Sequence, residues 1–175
     1  MAITDYAIPA SALHSAFRAQ GVDAVTTVPD FVQFALHDAM KSDADVRYIE
    51  CSAENQALTT AMGLYIGGMS PMVMMQNQGL LNCLNTLRSV GLDAGIPLVL
   101  SVGAFGREFA NLGQPITESR RACASLVQPI MAAMDIPFFH LETTDDLPKV
   151  AEAFTTAKER QRAAVVHIGH YPSWN

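Results

Sequence analysis

Six short apolar runs, spaced between helix-like stretches, leave this chain few ways to fold. The runs cover 24–28, 46–49, 71–75, 97–101, 137–140 and 163–168. Most are largely apolar rather than alternating, which marks strands buried on both faces, with Arg47 interrupting 46–49. The stretches between them carry helix periodicity. In 9–20, Pro9 suits a first turn, Ala12, Leu13, Ala16 and Phe17 share a face, and Gly21 ends the segment. Further helices are predicted over 31–40, 53–66 (closed by Gly67-Gly68), 78–90, 117–134 with Pro129 marking a kink, and 145–160. Strands alternating with helices predict an α/β three-layer sandwich, a six-stranded parallel sheet with helices on both faces, in a single domain over 1–175.

Function classes fall away next. The formal charge is −6 with only 11 Lys and Arg, a poor match to a phosphate backbone. The apolar runs are too short to span a membrane. The N-terminus shows no basic segment ahead of an apolar stretch, so no secretory signal is expected and the location is read as cytoplasmic. Cys51, Cys83 and Cys123 are far apart, which suits small buried side chains better than disulfides or a metal knuckle. The five histidines lack metal-ligand spacing, and Met69 to Met75 reads as strand core. No G-x-G-x-x-G, P-loop or G-x-S-x-G segment occurs.

In parallel sheets ligands gather at the carboxyl ends of strands. Candidate site residues therefore follow the first four strands: Pro29-Asp30, Glu50 to Glu54, Gln76 to Asn82, and Gly103 to Gln114. Glu54 opens a helix whose body is small and apolar. An acid there either steadies the helix dipole or serves a site. Gln76-Asn77-Gln78-Gly79 ends a strand in three amides, which can hold a ligand or make caps and turns. Arg107 is a plausible anion clamp or a solvated loop charge. Asp30 is an acid or base for a substrate, or a turn residue. Gln114 lies on the same loop as Arg107.

Taken together, Val28-Pro29-Asp30-Phe31, Glu54 nine positions before Gly63, Gln76-Asn77-Gln78-Gly79-Leu80 with Asn82 and Asn85, and Ile96-Pro97-Leu98-Val99-Leu100 resemble one family. They are similar to the pyrimidine-binding domain of thiamine diphosphate enzymes of the 2-oxoacid decarboxylase group, with the greatest likeness to the sulfopyruvate and phosphonopyruvate branches. The resemblance covers nearly the whole chain. It implies the thiamine diphosphate-binding fold and an α subunit of a decarboxylase acting on a small anionic 2-oxoacid. It implies that Glu54 hydrogen-bonds a ring nitrogen of the cofactor's aminopyrimidine, in a pocket whose dryness raises the acid's pKa. Gln76, Asn77, Gln78 and Gly79 would bind the cofactor, and Pro29, Asp30, Asn82, Arg107 and Gln114 the substrate, with Asp30 also a catalytic candidate.

The likeness has gaps. Gln78 replaces a family serine and Leu81 a glycine, and the 103–115 loop departs, with Gly106-Arg107-Glu108 and Gly113-Gln114-Pro115 in place of a tryptophan and several charges. These changes leave room for carboligation, for another 2-oxoacid, or for a non-catalytic module of the same fold. The family's Gly-Asp-Gly segment, which holds the diphosphate and its magnesium, is absent. The resemblance therefore implies a β subunit that carries that segment and the Mg2+, a hetero-oligomer, and no metal ligand in this chain.

Overall fold

The computed structural model describes residues 2–174. Six strands, β1 (Ala24–Thr27), β2 (Arg47–Glu50), β3 (Pro71–Gln76), β4 (Val99–Gly103), β5 (Phe138–Leu141) and β6 (Ala164–Ile168), form one sheet. Its order is β2-β1-β3-β4-β6-β5, and every pairing is parallel. The helices are α1 (Ala10–Arg18), α2 (Phe34–Ser42), α3 (Glu54–Ile66), α4 (Asn77–Asn82), α5 (Leu84–Leu87), α6 (Ala122–Ser125), α7 (Val127–Ala133) and α8 (Pro148–Arg160). The expected α/β sandwich is present.

Strand β3 shows why the sequence folds this way. Successive side chains on a strand point to opposite faces. Met72 and Met74 accordingly join one core with Leu13, Phe17, Leu36 and Phe154 of α1, α2 and α8. Val73 and Met75 join the other, with Leu58, Leu80, Leu87 and Met131 of α3, α4, α5 and α7. Residues 72–75 are all fully buried, so Met72, Met74 and Met75 are strand core as expected, whereas Met69 precedes the strand and is half-buried.

Three helices differ from the sequence reading. Helix α2 begins at Phe34 rather than at residue 31, because Asp30 Oδ1 accepts the Gln33 N–H at 2.8 Å and holds a turn there. The 78–90 helix is broken at Cys83 (φ −111, ψ 20) into α4 and α5, and Arg88–Asp93 continues as a π-helical turn. The 117–134 segment is a 3-10 turn followed by α6 and α7, interrupted at Leu126. Pro129 lies inside the first turn of α7, not at the break. It offers no N–H to the Ser125 carbonyl, and its ring crowds that oxygen, so the interruption falls upstream of it.

The topology also places a crevice. Strand β1 leads into α2 on one face, while its neighbour β3 leads into α4 on the other. Loops that part in this way open a cleft at the carboxyl edge.

Candidate active site

Gln33 closes the floor of that cleft. The residue is fully buried, and its Nε2 donates to Asp30 Oδ2, to the Met75 carbonyl (3.2 Å) and to the Ser101 carbonyl (3.2 Å), while its Oε1 accepts from Ser101 Oγ. Both carboxylate oxygens of Asp30 thus face Gln33. Gly103 makes this possible, since a Cβ there would lie 2.8 Å from Asp30 Oδ2 and from Val32 Cβ. Burial raises the Asp30 pKa against the hydrogen bonds from Gln33 and Val32. The Asp30 N–H donates to His37 Nε2 at 3.1 Å, so the proton of this neutral ring sits on Nδ1, 2.8 Å from the Tyr48 hydroxyl. Burial pushes His37 down to about 4. Pro29 is exposed on the same loop.

Beyond β2 the start of α3 is set by Gln56, whose Oε1 accepts from the Ser52 N–H (3.0 Å) and hydroxyl (2.9 Å). Glu54 is the first residue of the helix, where the dipole favours an anion. Its half-buried carboxylate makes no hydrogen bond or ion pair with another described residue. It lies over the buried backbone of Gly79, where a Cβ would fall 2.5 Å from Glu54 Oε1 and 2.7 Å from Cδ. Glycine at 79 is therefore what lets this carboxylate approach α4. Gln76, half-buried, and Gln78 and Asn82, exposed, have side chains likewise unbonded to described residues. Asn77 is different. It is fully buried, donates to the Phe105 (2.8 Å) and Cys123 (2.7 Å) carbonyls, accepts the Gln78 N–H, and so ties α4 to the 103–115 loop and α6. Burial, helped by the charge of Glu54, pushes the Cys83 thiol up to about 12, which leaves it unreactive.

Arg107 is turned inward. Its side chain is 2% exposed and its Nη1 lies 2.5 Å from Glu142 Oε1. Nε donates to Asn111 Oδ1 (2.8 Å), Nη2 to the Asn111 (2.8 Å) and Gln114 (3.0 Å) carbonyls, and Nη1 also to the Gly169 carbonyl (3.2 Å). Burial pushes Glu142 up, but hydrogen bonds from His140 and the Gly113 N–H, with the Arg107 charge, hold it below the usual range. Gln114 enters this cluster through its carbonyl, with its side chain exposed. His140 and His167 share a hydrogen bond between their Nδ1 atoms at 2.9 Å, across β5 and β6.

The structure thus gathers Glu54, Gln76, Gln78, Gly79 and Asn82 around the α3–α4 junction. Asp30 sits beneath Gln33, and Arg107 and Asn77 act as internal ties. Two features went unread in the sequence. Gln33 looks like any helix glutamine until its partners on β3 and β4 are seen. The second was countable: from Cys51 to Leu87, 37 residues hold a single charged side chain, Glu54. Many of these residues are exposed, among them Asn55, Gln56, Thr59, Gly63 and Ile66 on α3, Gln78 and Asn82 on α4, and Asn85 on α5. Charge depletion on an exposed face is the compositional mark of an interface core.

The model of the thiamine pyrophosphate enzyme, N-terminal TPP binding domain, matches residues 10–122. The chain belongs to this family. Among curated relatives, the sulfopyruvate decarboxylase subunit alpha of Methanococcus maripaludis is 26% identical over 139 residues, 79% of this chain and 80% of that one. The protein of the same name from Methanothermobacter thermautotrophicus is 24% identical over 127 residues, 73% and 74% of the two chains. Among solved structures, the thiamine diphosphate-dependent 4-hydroxybenzoylformate decarboxylase of Rhodococcus jostii RHA1 aligns with a TM-score of 0.69 at 21% identity, over 92% of this chain and 30% of its own. That likeness is one of fold, and the chain spans about a third of the length of that enzyme. Among the described residues no helix is long and apolar enough to cross a membrane.

Proposed function

We propose that this chain is the pyrimidine-binding subunit of a thiamine diphosphate-dependent 2-oxoacid decarboxylase, completed by a second polypeptide. The observation that carries the reading is the unbonded carboxylate of Glu54, held over Gly79 in a stretch, 51–87, that holds no other charged side chain. Such a site fits a neutral heteroaromatic ring that offers a basic nitrogen. It would repel the diphosphate end of the cofactor. When bound, thiamine diphosphate supplies the electron sink for the carbon–carbon bond that breaks as carbon dioxide leaves.

The residues of this chain have narrower tasks. Glu54 would hydrogen-bond a ring nitrogen of the aminopyrimidine from the first turn of α3, where the helix dipole favours an acidic side chain. Gly79 keeps the approach to that carboxylate open. Gln76 and Gln78 offer amide donors and acceptors beside it. Asp30, bonded through both oxygens to Gln33, holds the loop after β1 rather than moving a proton. Among the described residues no three His, Cys, Asp or Glu side chains form a metal-ligand set. The diphosphate and its magnesium are assigned to the partner, a β subunit seated on the charge-poor α3–α5 face. Sulfopyruvate is the first substrate to try, from the names of the curated relatives. Its second anionic group would need a cation other than Arg107, whose donors are already engaged.

The test is Glu54→Gln in the complex co-purified with its partner, assayed by carbon dioxide release from candidate 2-oxoacids. The carbonyl of glutamine can accept a hydrogen bond but cannot carry the shared proton. A loss of at least 10²-fold in kcat is expected, the upper part of what one proton-transfer group contributes being about 10⁴-fold, with the complex still assembled. Full activity in this variant overturns the reading.

A further inference from the structure

An anionic substrate needs a cation that is still free, and this chain has few to give. Of its 11 Lys and Arg, Arg18, Arg88, Arg160 and Arg162 are paired with Asp43, Asp93 and Asp135. Arg47 opens β2, and Lys158 lies beside Pro71 and Pro97, so both sit at the amino edge of the sheet, away from the site. Nearer the carboxyl edge, Lys41 is bonded to Glu50 (2.8 Å), Lys149 to Asp146 (2.6 Å) and Arg107 to Glu142. The charge of Arg120 acts on Glu108. Arg121 is the one cation left. It is exposed, and its guanidinium makes no hydrogen bond or ion pair with another described residue. We propose that Arg121 grips the second anionic group of the substrate, a 2-oxoacid with a sulfonate, phosphonate or carboxylate at its far end. The inference rests on the decarboxylase reading above and supplies the cation that Arg107 does not.

The backbone that carries this arginine is firmly held. Glu108 braces the turn before α6: its Oε1 accepts the Arg120 N–H and its Oε2 the Ser119 hydroxyl, each at 2.7 Å, and Ser119 Oγ accepts the Arg121 N–H at 3.3 Å. The Arg121 carbonyl accepts the N–H groups of Ala124 (2.9 Å) and Ser125 (3.0 Å). The Arg120 N–H and the Ser119 hydroxyl hold Glu108 down at about 2. Its carboxylate is thus satisfied by the turn itself and does not compete for Arg121.

The position suits the site. Two residues beyond Arg121, the Cys123 carbonyl accepts from Asn77 Nδ2 at 2.7 Å, which ties the start of α6 to the first residue of α4. Gln78 follows and is exposed, and Gly79 lies beneath the Glu54 carboxylate. The Arg121 backbone therefore stands beside the N-terminal end of the helix over which Glu54 lies. The 51–87 stretch holds no cation, so nothing else on α3–α5 can take the same role. A guanidinium matches an oxyanion through two parallel N–H bonds, and one without a partner gives up no structural contact when it turns to a ligand.

Calorimetry on the assembled complex, loaded with thiamine diphosphate, reads the grip without turnover. The probe is 3-sulfopropanoate, which carries both anions and no 2-oxo group. Arg121→Gln should weaken its binding about tenfold or more, with Arg121→Lys in between, because an ammonium keeps the charge and loses the fork. In carbon dioxide release, Arg121→Gln should raise KM for sulfopyruvate about tenfold or more, keep kcat within about threefold, and leave KM for pyruvate, which lacks the second anion, unchanged. Equal effects on the two oxoacids overturn the proposal, as does an unchanged affinity for the probe. A wild-type complex that binds 3-sulfopropanoate no more tightly than propanoate does so as well. Glu54→Gln should leave binding of the probe intact, so a failure at Arg121 and a failure at Glu54 are read apart.

Discussion

Replacing Arg107 by Met asks whether the 103–115 loop carries a substrate clamp or a structural tie. The substitution keeps much of the side-chain volume and removes the charge. It strands the Glu142 carboxylate, 14% exposed, and frees the Asn111, Gln114 and Gly169 carbonyls. Breaking a buried ion pair from one side costs about 3–5 kcal/mol. With a urea slope of about 2 kcal/mol/M, the unfolding midpoint should fall by roughly 2 M. Adding Glu142→Gln should recover part of the loss, because the buried charge left alone is then gone, with a coupling of about 1–3 kcal/mol. Arg107→Lys should fall between, since one ammonium cannot reach the acceptors that the fork reaches. Urea denaturation followed by circular dichroism reads all three. A change within about 0.5 kcal/mol for Arg107→Met would mean a solvated loop charge and would refute the reasoning. A clamp would instead show as a raised KM for the anionic substrate in Arg107→Lys with no shift in midpoint.

Two further predictions follow from the same side chains. Gly79→Ala should leave stability unchanged or raise it by up to about 1 kcal/mol, since alanine favours a helix and Glu54 can swing aside. Thiamine diphosphate should then bind the assembled complex about tenfold more weakly or worse, read by calorimetry, and unchanged affinity would show that the approach to Glu54 does not matter. His37 has a folded pKa of about 4, below the unfolded value of 6.5. Its contribution is therefore present above about 6.5 and is lost as pH falls towards 4, where the unfolded chain binds the proton first, a difference of up to roughly 3 kcal/mol. Asp30, raised by burial, has the opposite slope. His37→Asn should flatten the loss of stability between pH 6.5 and 4 in denaturant titrations, and an unaltered acid limb would remove His37 from the account.

The architecture was legible because buried parallel strands write continuous apolar runs, and β3 is the plainest example. The place of Glu54 at the start of α3 was legible because a strand end and a helix start fall together there, while its role came only from the family resemblance. What stayed hidden was long-range. The inward turn of Arg107 depends on Glu142 and Gly169, which lie more than thirty residues away and arrive through β5 and β6. Asn77 belongs to the same motif as Gln78, yet it is buried because Phe105 and Cys123 come to meet it. The break at Cys83 has no proline or glycine to announce it. Spacing names the residues of a loop but not which of them face inward.

Gln33 has a consequence for what such a protein does by itself. A crevice whose floor is taken by a permanent side chain can hold a guest only along its margins. On this view the chain works by contact rather than by enclosure.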